Sequence, residues 1–335
     1  MNETAPPDQL GHPQHARTSS PTRRWFAPLL ATPTPVILVG AAAIAVGLLW
    51  RRGALDEIGS SLVTVHPGIA VALLGVYAVG IFVLGLRWHT LVRIAGGSPD
   101  WTASAEVFLT SVVINYAAPI GLAVPTRAAL TVRDLRLAPG QSGAVVAWEA
   151  GLDIAALAAI SAAWLALGGL ELVQTLVMDA RAVLIAAGAI VVAVGGIAAI
   201  SKVAAIRRRV APFVGNLLSG PRRHPALALL ALLLTAAFWG AQIGVMAGLL
   251  GIFGVIPSPP LLLGVMGLPV LIGMLSPVPG GAGVREALMA AVAGLSGIAA
   301  GPVILAAVAY RLALFAVTPL VWVAVRLARI ATIRS

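Results

Sequence analysis

The chain has no cysteine, which excludes disulfides, thiolate metal sites and cysteine nucleophiles and leaves its redox compartment open. It is also short of charge. Only 10% of its 335 residues are Asp, Glu, Lys or Arg, against about 25% in a soluble domain. So few water-binding groups cannot coat a folded surface, which argues against a soluble enzyme and equally against a disordered or fibrous chain. Aromatic residues are sparse (5%), and acidic residues number 12 against 22 Lys and Arg, for a net charge of +10. Apolar residues are abundant: 59% of the chain is hydrophobic and the mean hydropathy is +0.99. Lipid is therefore the solvent for most of the sequence. Basic excess often points to nucleic acid, but there is too little polar surface here for a basic groove, so no nucleic-acid partner is expected. The excess reads instead as the positive-inside signal of a membrane protein.

Residues 1–33 are polar and proline-rich and read as a disordered cytoplasmic N-terminal tail. The apolar run 34–50 follows a long tail, lacks a small-x-small cleavage site before Arg51, and reads as an uncleaved anchor rather than a signal peptide. Further runs at 68–86, 140–168, 182–200, 226–252 and 302–325 reach or approach the ~20 residues a helix needs to cross hydrocarbon. Two other apolar regions, 103–136 and 259–300, are interrupted near their middles. Asn115, Pro119 and Gly121 break the first, and Ser276-Pro277-Val-Pro279-Gly280-Gly281-Ala-Gly283 breaks the second.

Charge decides how the broken regions sit. If both are re-entrant hairpins, the N-terminal tail, the 87–103 loop, 127–136, 201–225 and the C-terminal tail all lie on the cytoplasmic side, with most of the basic residues. If the first crossed fully, the Lys202–Arg223 cluster would lie outside, against that rule. The expected fold is an all-α integral membrane protein, a polytopic helical bundle of six full spans plus two re-entrant broken-helix hairpins. Its transmembrane domain covers 34–330, and its halves, about 34–168 and 182–330, form an inverted repeat. Around the two breaks, Pro119 aligns with Pro277 and Arg127 with Arg285 at equal Pro-to-Arg spacing. Pro and Gly that merely kink packed helices are the alternative.

Charges within apolar segments are expensive and are functional or paired. Glu149 and Asp153 share one helix face, which must look into the protein. They serve either function or a structural ion pair. Arg127 and Arg285 follow the breaks, where a guanidinium beside the N–H groups of a returning half-helix suits a phosphate. For Arg127 the alternative is a residue snorkelling to the cytoplasmic surface. Glu286 is a local counter-charge for Arg285. Arg311, with Tyr310, lies near the middle of the last apolar run and is expected to pair with Glu149, Asp153 or Glu286. Arg87-Trp88-His89 reads as an interfacial anchor and Gln242 as a helix–helix hydrogen bond. The histidines show no ligand spacing, and no metal, phosphate-loop or nucleophile-elbow motif is present, so neither metal nor cofactor is expected.

These residues resemble the flippase-like family named for the transmembrane region of lysylphosphatidylglycerol synthase. The likeness rests on Arg87-Trp88, then Asn115, Pro119 and Arg127, Glu149 followed by Asp153, Ser276-Pro-Val-Pro-Gly-Gly-Ala-Gly-Val-Arg-Glu286, and Tyr310-Arg311. Ala123-Val124 stands where the family usually has Gly-Asp, and Ala150 where an arginine commonly follows the glutamate. The soluble aminoacyl-transfer domain of the synthases has no counterpart among these residues. The resemblance implies translocation of an anionic or phosphate-bearing lipid between leaflets of a bacterial-type cytoplasmic (inner) membrane, with both termini cytoplasmic and no enzymatic step. Its implied substrate-binding set is Asn115, Pro119, Arg127, Pro277, Gly280, Gly281, Arg285 and Glu286, with Glu149, Asp153, Tyr310 and Arg311 as an intramembrane charge network. The alternatives are an intramembrane enzyme acting on a lipid-linked phosphate or sugar, with Glu149 or Asp153 as base, and a scaffold partnering lipid- or glycan-biosynthesis enzymes.

Overall fold

A computed structural model describes residues 67–117, 123–169, 215–276 and 281–334, apart from 216, 218 and 282. The apolar runs expected at 34–50 and 182–200, the N-terminal tail and the breaks at Pro119, Pro277 and Gly280 lie outside the described residues, as does the side chain of Asn115.

Every regular element among the described residues is helical. In chain order these are α1 (Pro67–Ile94), α2 (Trp101–Ala117), α3 (Ala123–Asp134), and α4 (Pro139–Trp164), which runs on into a π-helical turn at Leu165–Gly169. After them come α5 (Pro225–Ile252), α6 (Pro259–Met266), α7 (Leu268–Leu275), α8 (Val284–Leu295) and α9 (Ala300–Arg334). Proline opens α1, α4, α5 and α6, where its missing N–H removes no helical bond and its fixed φ favours the first turn. Pro269, which cannot donate to the preceding turn, accounts with Gly267 for the division between α6 and α7.

Among the described residues, four helices are long and apolar enough to cross a membrane: Pro67–Ile94, Pro139–Gly169, Pro225–Ile252 and Ala300–Ala331. Large apolar side chains such as Val71, Val79, Leu232, Leu233 and Leu320 face outward on them. That is a liability in water but the expected surface in lipid. The chain is a multi-pass helical membrane protein. Its interior is packed with Trp88, Phe108, Leu157, Met246, Leu250, Met266 and Met289.

Element order recurs along the chain. A 28-residue helix, a helical arm, a 12-residue helix and a long helix occur first as α1–α4 and again as α5–α9, with α6 and α7 together as the second arm. The interval from Pro67 to Pro225 equals that from Pro119 to Pro277 and from Arg127 to Arg285. α1 and α5 pack antiparallel, with Leu73 against Gly248, Gly80 against Gln242 and Phe238, and Arg87 against Thr235. Contacts also cross between the two sets: α2 packs on α9, and α6 and α7 pack on α4.

The 12-residue helices α3 and α8 are each about 18 Å long, well short of a ~30 Å hydrocarbon core. Each folds back along the arm before it. Arg127 on α3 reaches Ser111 on α2, Arg285 on α8 lies against Gly273 on α7, and Val292 lies against Gly264 on α6. The second turn-back needs glycine at position 281. Its φ is +66°, and a Cβ there would fall 2.6 Å from the carbonyl oxygen of Gly273.

Candidate functional site

Two charged clusters lie inside this bundle. The first is built on α4, where Glu149 and Asp153 sit one turn apart on the inward face. Arg87 on α1 grips Asp153 with both terminal nitrogens, at 2.6 and 2.8 Å, and its Nη2 is 3.7 Å from Glu149. Arg87 is only 1% exposed, and its Nη1 also donates to Thr235 on α5 at 3.3 Å. Trp239, one turn further along α5, donates its indole N–H to Asp153 at 3.1 Å. Arg127 on α3 donates to Glu149 and, through Nε, to Ser111 at 2.7 Å, with its guanidinium over the rings of Trp88 and Phe108. Two arginines and two carboxylates thus neutralise one another, and each is hydrogen-bonded, as a buried ionic group requires.

This corrects the sequence reading of Arg87-Trp88 as an interfacial anchor. Both side chains are buried, Trp88 completely. The reason lies in the packing: α4 and α5 close over the end of α1 and bring Asp153, Thr235 and Trp239 to a residue whose position near a helix end suggests exposure. Only His89 of that triplet is partly exposed, with Nδ1 within 3.2 Å of the Ser104 hydroxyl.

The second cluster is built on α8 and α9. Arg311 donates Nε to Glu286 at 2.6 Å, so of the three acids considered for it, Glu286 is the partner. Glu286 also accepts the backbone N–H of Gly283 at 2.7 Å and caps the helix it opens. Arg285 is different. Its guanidinium stacks over the Tyr310 ring at 4.8 Å, yet its Nε and Nη2 are buried and have no hydrogen-bond partner among the described residues. The Tyr310 hydroxyl donates to Gln242 Oε1 on α5, which makes Gln242 the interhelical hydrogen bond expected of it, and Tyr77 packs edge-on against Tyr310 at 5.3 Å.

The structure therefore brings Arg127, Glu149 and Asp153 together in one cluster and Arg285, Glu286, Tyr310 and Arg311 in another, with Gly281 at the turn beside Gly273. α5 joins the two clusters. Thr235, Trp239 and Gln242 recur along one face of that helix, the first two touching the Arg87–Asp153 pair and the third touching Tyr310. Neither Thr235 nor Trp239 figures in the sequence reading, although their spacing with Gln242 was a signal. Arg87 also had a signal: two inward carboxylates demand two cations.

The same interval that relates Arg127 to Arg285 carries Glu149 to Ala307 and Asp153 to Arg311. Arg285 therefore lacks, at the corresponding place, the carboxylate that holds Arg127. Elsewhere, Glu106 on α2 is held by Arg326 and Arg329 on α9. An open depression of about 500 Å³ between α3 and α4 is lined by Ala128, Ala129, Arg133, Ser142 and Gly143. Among the described residues, no group of three or more His, Asp or Glu side chains is arranged to hold a metal.

No curated protein and no solved structure matches this chain. The sequence model described as lysylphosphatidylglycerol synthase TM region matches residues 36–321, which include both charged clusters. With most of its length matched, the chain belongs to the family of the lysylphosphatidylglycerol synthase transmembrane region.

Proposed function

We propose that this protein translocates a lipid with an anionic or phosphate-bearing headgroup between the leaflets of the cytoplasmic (inner) membrane, and that Arg285 holds the headgroup. The observation that carries the reading is the guanidinium of Arg285, with two buried donors and no partner among the described residues. A charged side chain at the centre of a membrane helix costs about 2.5–3.5 kcal/mol even on the mildest scale. An uncompensated cation beside Tyr310 is therefore a place for an anion to bind. Arginine suits a phosphate because its planar fork donates two parallel hydrogen bonds.

In this reading α2–α3 and α6–α8 are re-entrant hairpins, the apolar runs 34–50 and 182–200 complete six spans, and the two halves form an inverted repeat with cytoplasmic termini. The short α3 and α8 and the antiparallel packing of α1 on α5 support it. Arg87 and Glu149 then lie toward the cytoplasmic ends of α1 and α4, while Tyr310 lies toward the outer end of α9. The α5 face of Thr235, Trp239 and Gln242 runs between them. A headgroup passes along this face as Arg127 releases Glu149 and Arg285 engages phosphate. The protein carries out no covalent step; its residues bind, orient and hand over.

The test is translocation of fluorescent phospholipid in vesicles holding the purified full chain. Arg285→Gln and Arg285→Ala are expected to bring the rate down to that of protein-free vesicles, and Arg285→Lys to keep part of it. Full rates in both neutral variants would refute the assignment.

A further inference from the structure

We infer that Tyr310 is the positioning residue of the headgroup site: its ring holds the Arg285 guanidinium by the face and so leaves the N–H edge open to a phosphate-bearing headgroup. This rests on the assignment of the headgroup to Arg285 and says how that arginine is kept ready.

The two arginines that follow the breaks differ in one respect. Both are stacked on aromatic rings, Arg127 over Trp88 at 5.4 Å and Phe108 at 4.9 Å, and Arg285 over Tyr310 at 4.8 Å. A ring attracts a guanidinium through its face, whereas the hydrogen bonds of that group leave from its edge, in the plane. Stacking therefore steadies an arginine without using its donors. At Arg127 the edge is already taken, Nε by Ser111 and Nη1 by Glu149. At Arg285, Nε and Nη2 are buried and have no partner among the described residues.

The recurrence of the helices shows where the difference arises. The interval that carries Arg127 to Arg285 also carries Pro67–Ile94 onto Pro225–Ile252 and Trp101–Ala117 onto Pro259–Leu275, end for end. It carries Ser111 to Pro269 and Glu149 to Ala307, neither of which has a side-chain acceptor. Both replacements are buried, and each lies one turn from a residue set against Arg285: Pro269 before Gly273, and Ala307 before Tyr310. The second half thus keeps a ring against its arginine, from a different position, and lacks both acceptors.

Tyr310 is itself fixed. Tyr77 packs edge-on against it, with the planes 76° apart, and its hydroxyl donates to Gln242 Oε1. The hydroxyl ties α9 to α5, and the ring holds Arg285. Without the ring, the headgroup would have to immobilise a long, freely turning side chain on arrival, and that ordering weakens binding.

The test separates affinity from stability. The full chain in neutral detergent micelles is unfolded by heat at increasing amounts of phosphatidylglycerol, or of diacylglycerol, which lacks the phosphate. Phosphatidylglycerol alone is expected to raise the unfolding midpoint, and the part of the rise that Arg285→Gln removes reports the site. Tyr310→Leu and the bulkier Tyr310→Met are expected to need about three- to tenfold more lipid for the same rise. Tyr310→Phe is expected to start from a lower midpoint, because Gln242 loses its bond, yet to need no more lipid than the wild-type chain. Leu and Met variants that bind as tightly as wild type, or a Phe variant that loses as much affinity as they do, overturn the inference and leave the headgroup assignment standing. An Arg285→Gln chain with the full rise overturns that assignment, and the inference with it. Soluble glycerol phosphate is expected to give no rise at the same concentration, and a rise equal to that of the lipid overturns the lipid as the ligand.

Discussion

Replacing Arg87 with methionine tests whether the first charged cluster is a structural keystone. The guanidinium donates twice to Asp153, at 2.6 and 2.8 Å, once to Thr235 at 3.3 Å, and lies 3.7 Å from Glu149. Methionine fills part of the volume and removes all of these. The Asp153 and Glu149 side chains are 17% and 10% exposed, so water can replace little of what is lost. Breaking a buried ion pair from one side costs about 3–5 kcal/mol. The lower end applies here, because Trp239 still donates to Asp153 and Arg127 still holds Glu149. The expected loss is about 3 kcal/mol, measured by equilibrium unfolding of the full chain in mixed micelles. Removing the stranded charge as well, in Arg87→Met with Asp153→Leu, should recover at least half of it, since most of the loss comes from an unpaired buried carboxylate rather than from a missing attraction. A single variant that loses less than about 1 kcal/mol, or a double variant no more stable than the sum of the singles, would refute the reasoning.

Three further substitutions probe α2 and the turn that leads into α8. Glu106→Ala frees Arg326 and Arg329, which are 51% and 38% exposed, and should cost no more than about 1 kcal/mol at low salt and less as ionic strength rises, in the same unfolding experiment. Gly281→Ala forces a side chain onto a backbone at φ +66° and against the Gly273 carbonyl, and should destabilise by about 1–3 kcal/mol or more. Gly283→Ala, at φ +84° with open space around it, pays only for the backbone and should cost less by the same measurement.

The parts of this fold legible in the sequence are those set by local pattern. Long apolar runs gave the four membrane-length helices, and proline with glycine marked where α2 ends before α3 and α7 before α8. Inward placement of Glu149 and Asp153 followed from helical spacing and the expense of charge in lipid. Which cation meets which carboxylate was not local. Arg87 lies a few residues from the end of α1, where an arginine ordinarily reaches for headgroups, and only the closure of α4 and α5 over it makes it interior. Arg127 sits next to a break and reads equally well as a headgroup ligand or a snorkelling residue; its bond to Glu149 depends on how α3 folds back. Arg311 had three acids to choose from, and the nearness of α8 to α9 decided among them. The missing counterpart of Glu149 at Ala307 became meaningful only once the recurrence of the helices fixed which residues correspond.

The face of α5 that touches both clusters also sets a length. Thr235 and Gln242 are seven positions apart on a rigid helix, about 10 Å along its axis. A single phosphate is too small to be held at both ends of that distance. Under the proposed function, cargo moving along α5 would have to let go of one station before being gripped at the next, so each crossing would contain a moment when the headgroup's charge is balanced by neither arginine. In the proposed translocation that moment, rather than either resting place, would set the rate, and Trp239, midway between the stations, is the side chain a headgroup would meet there.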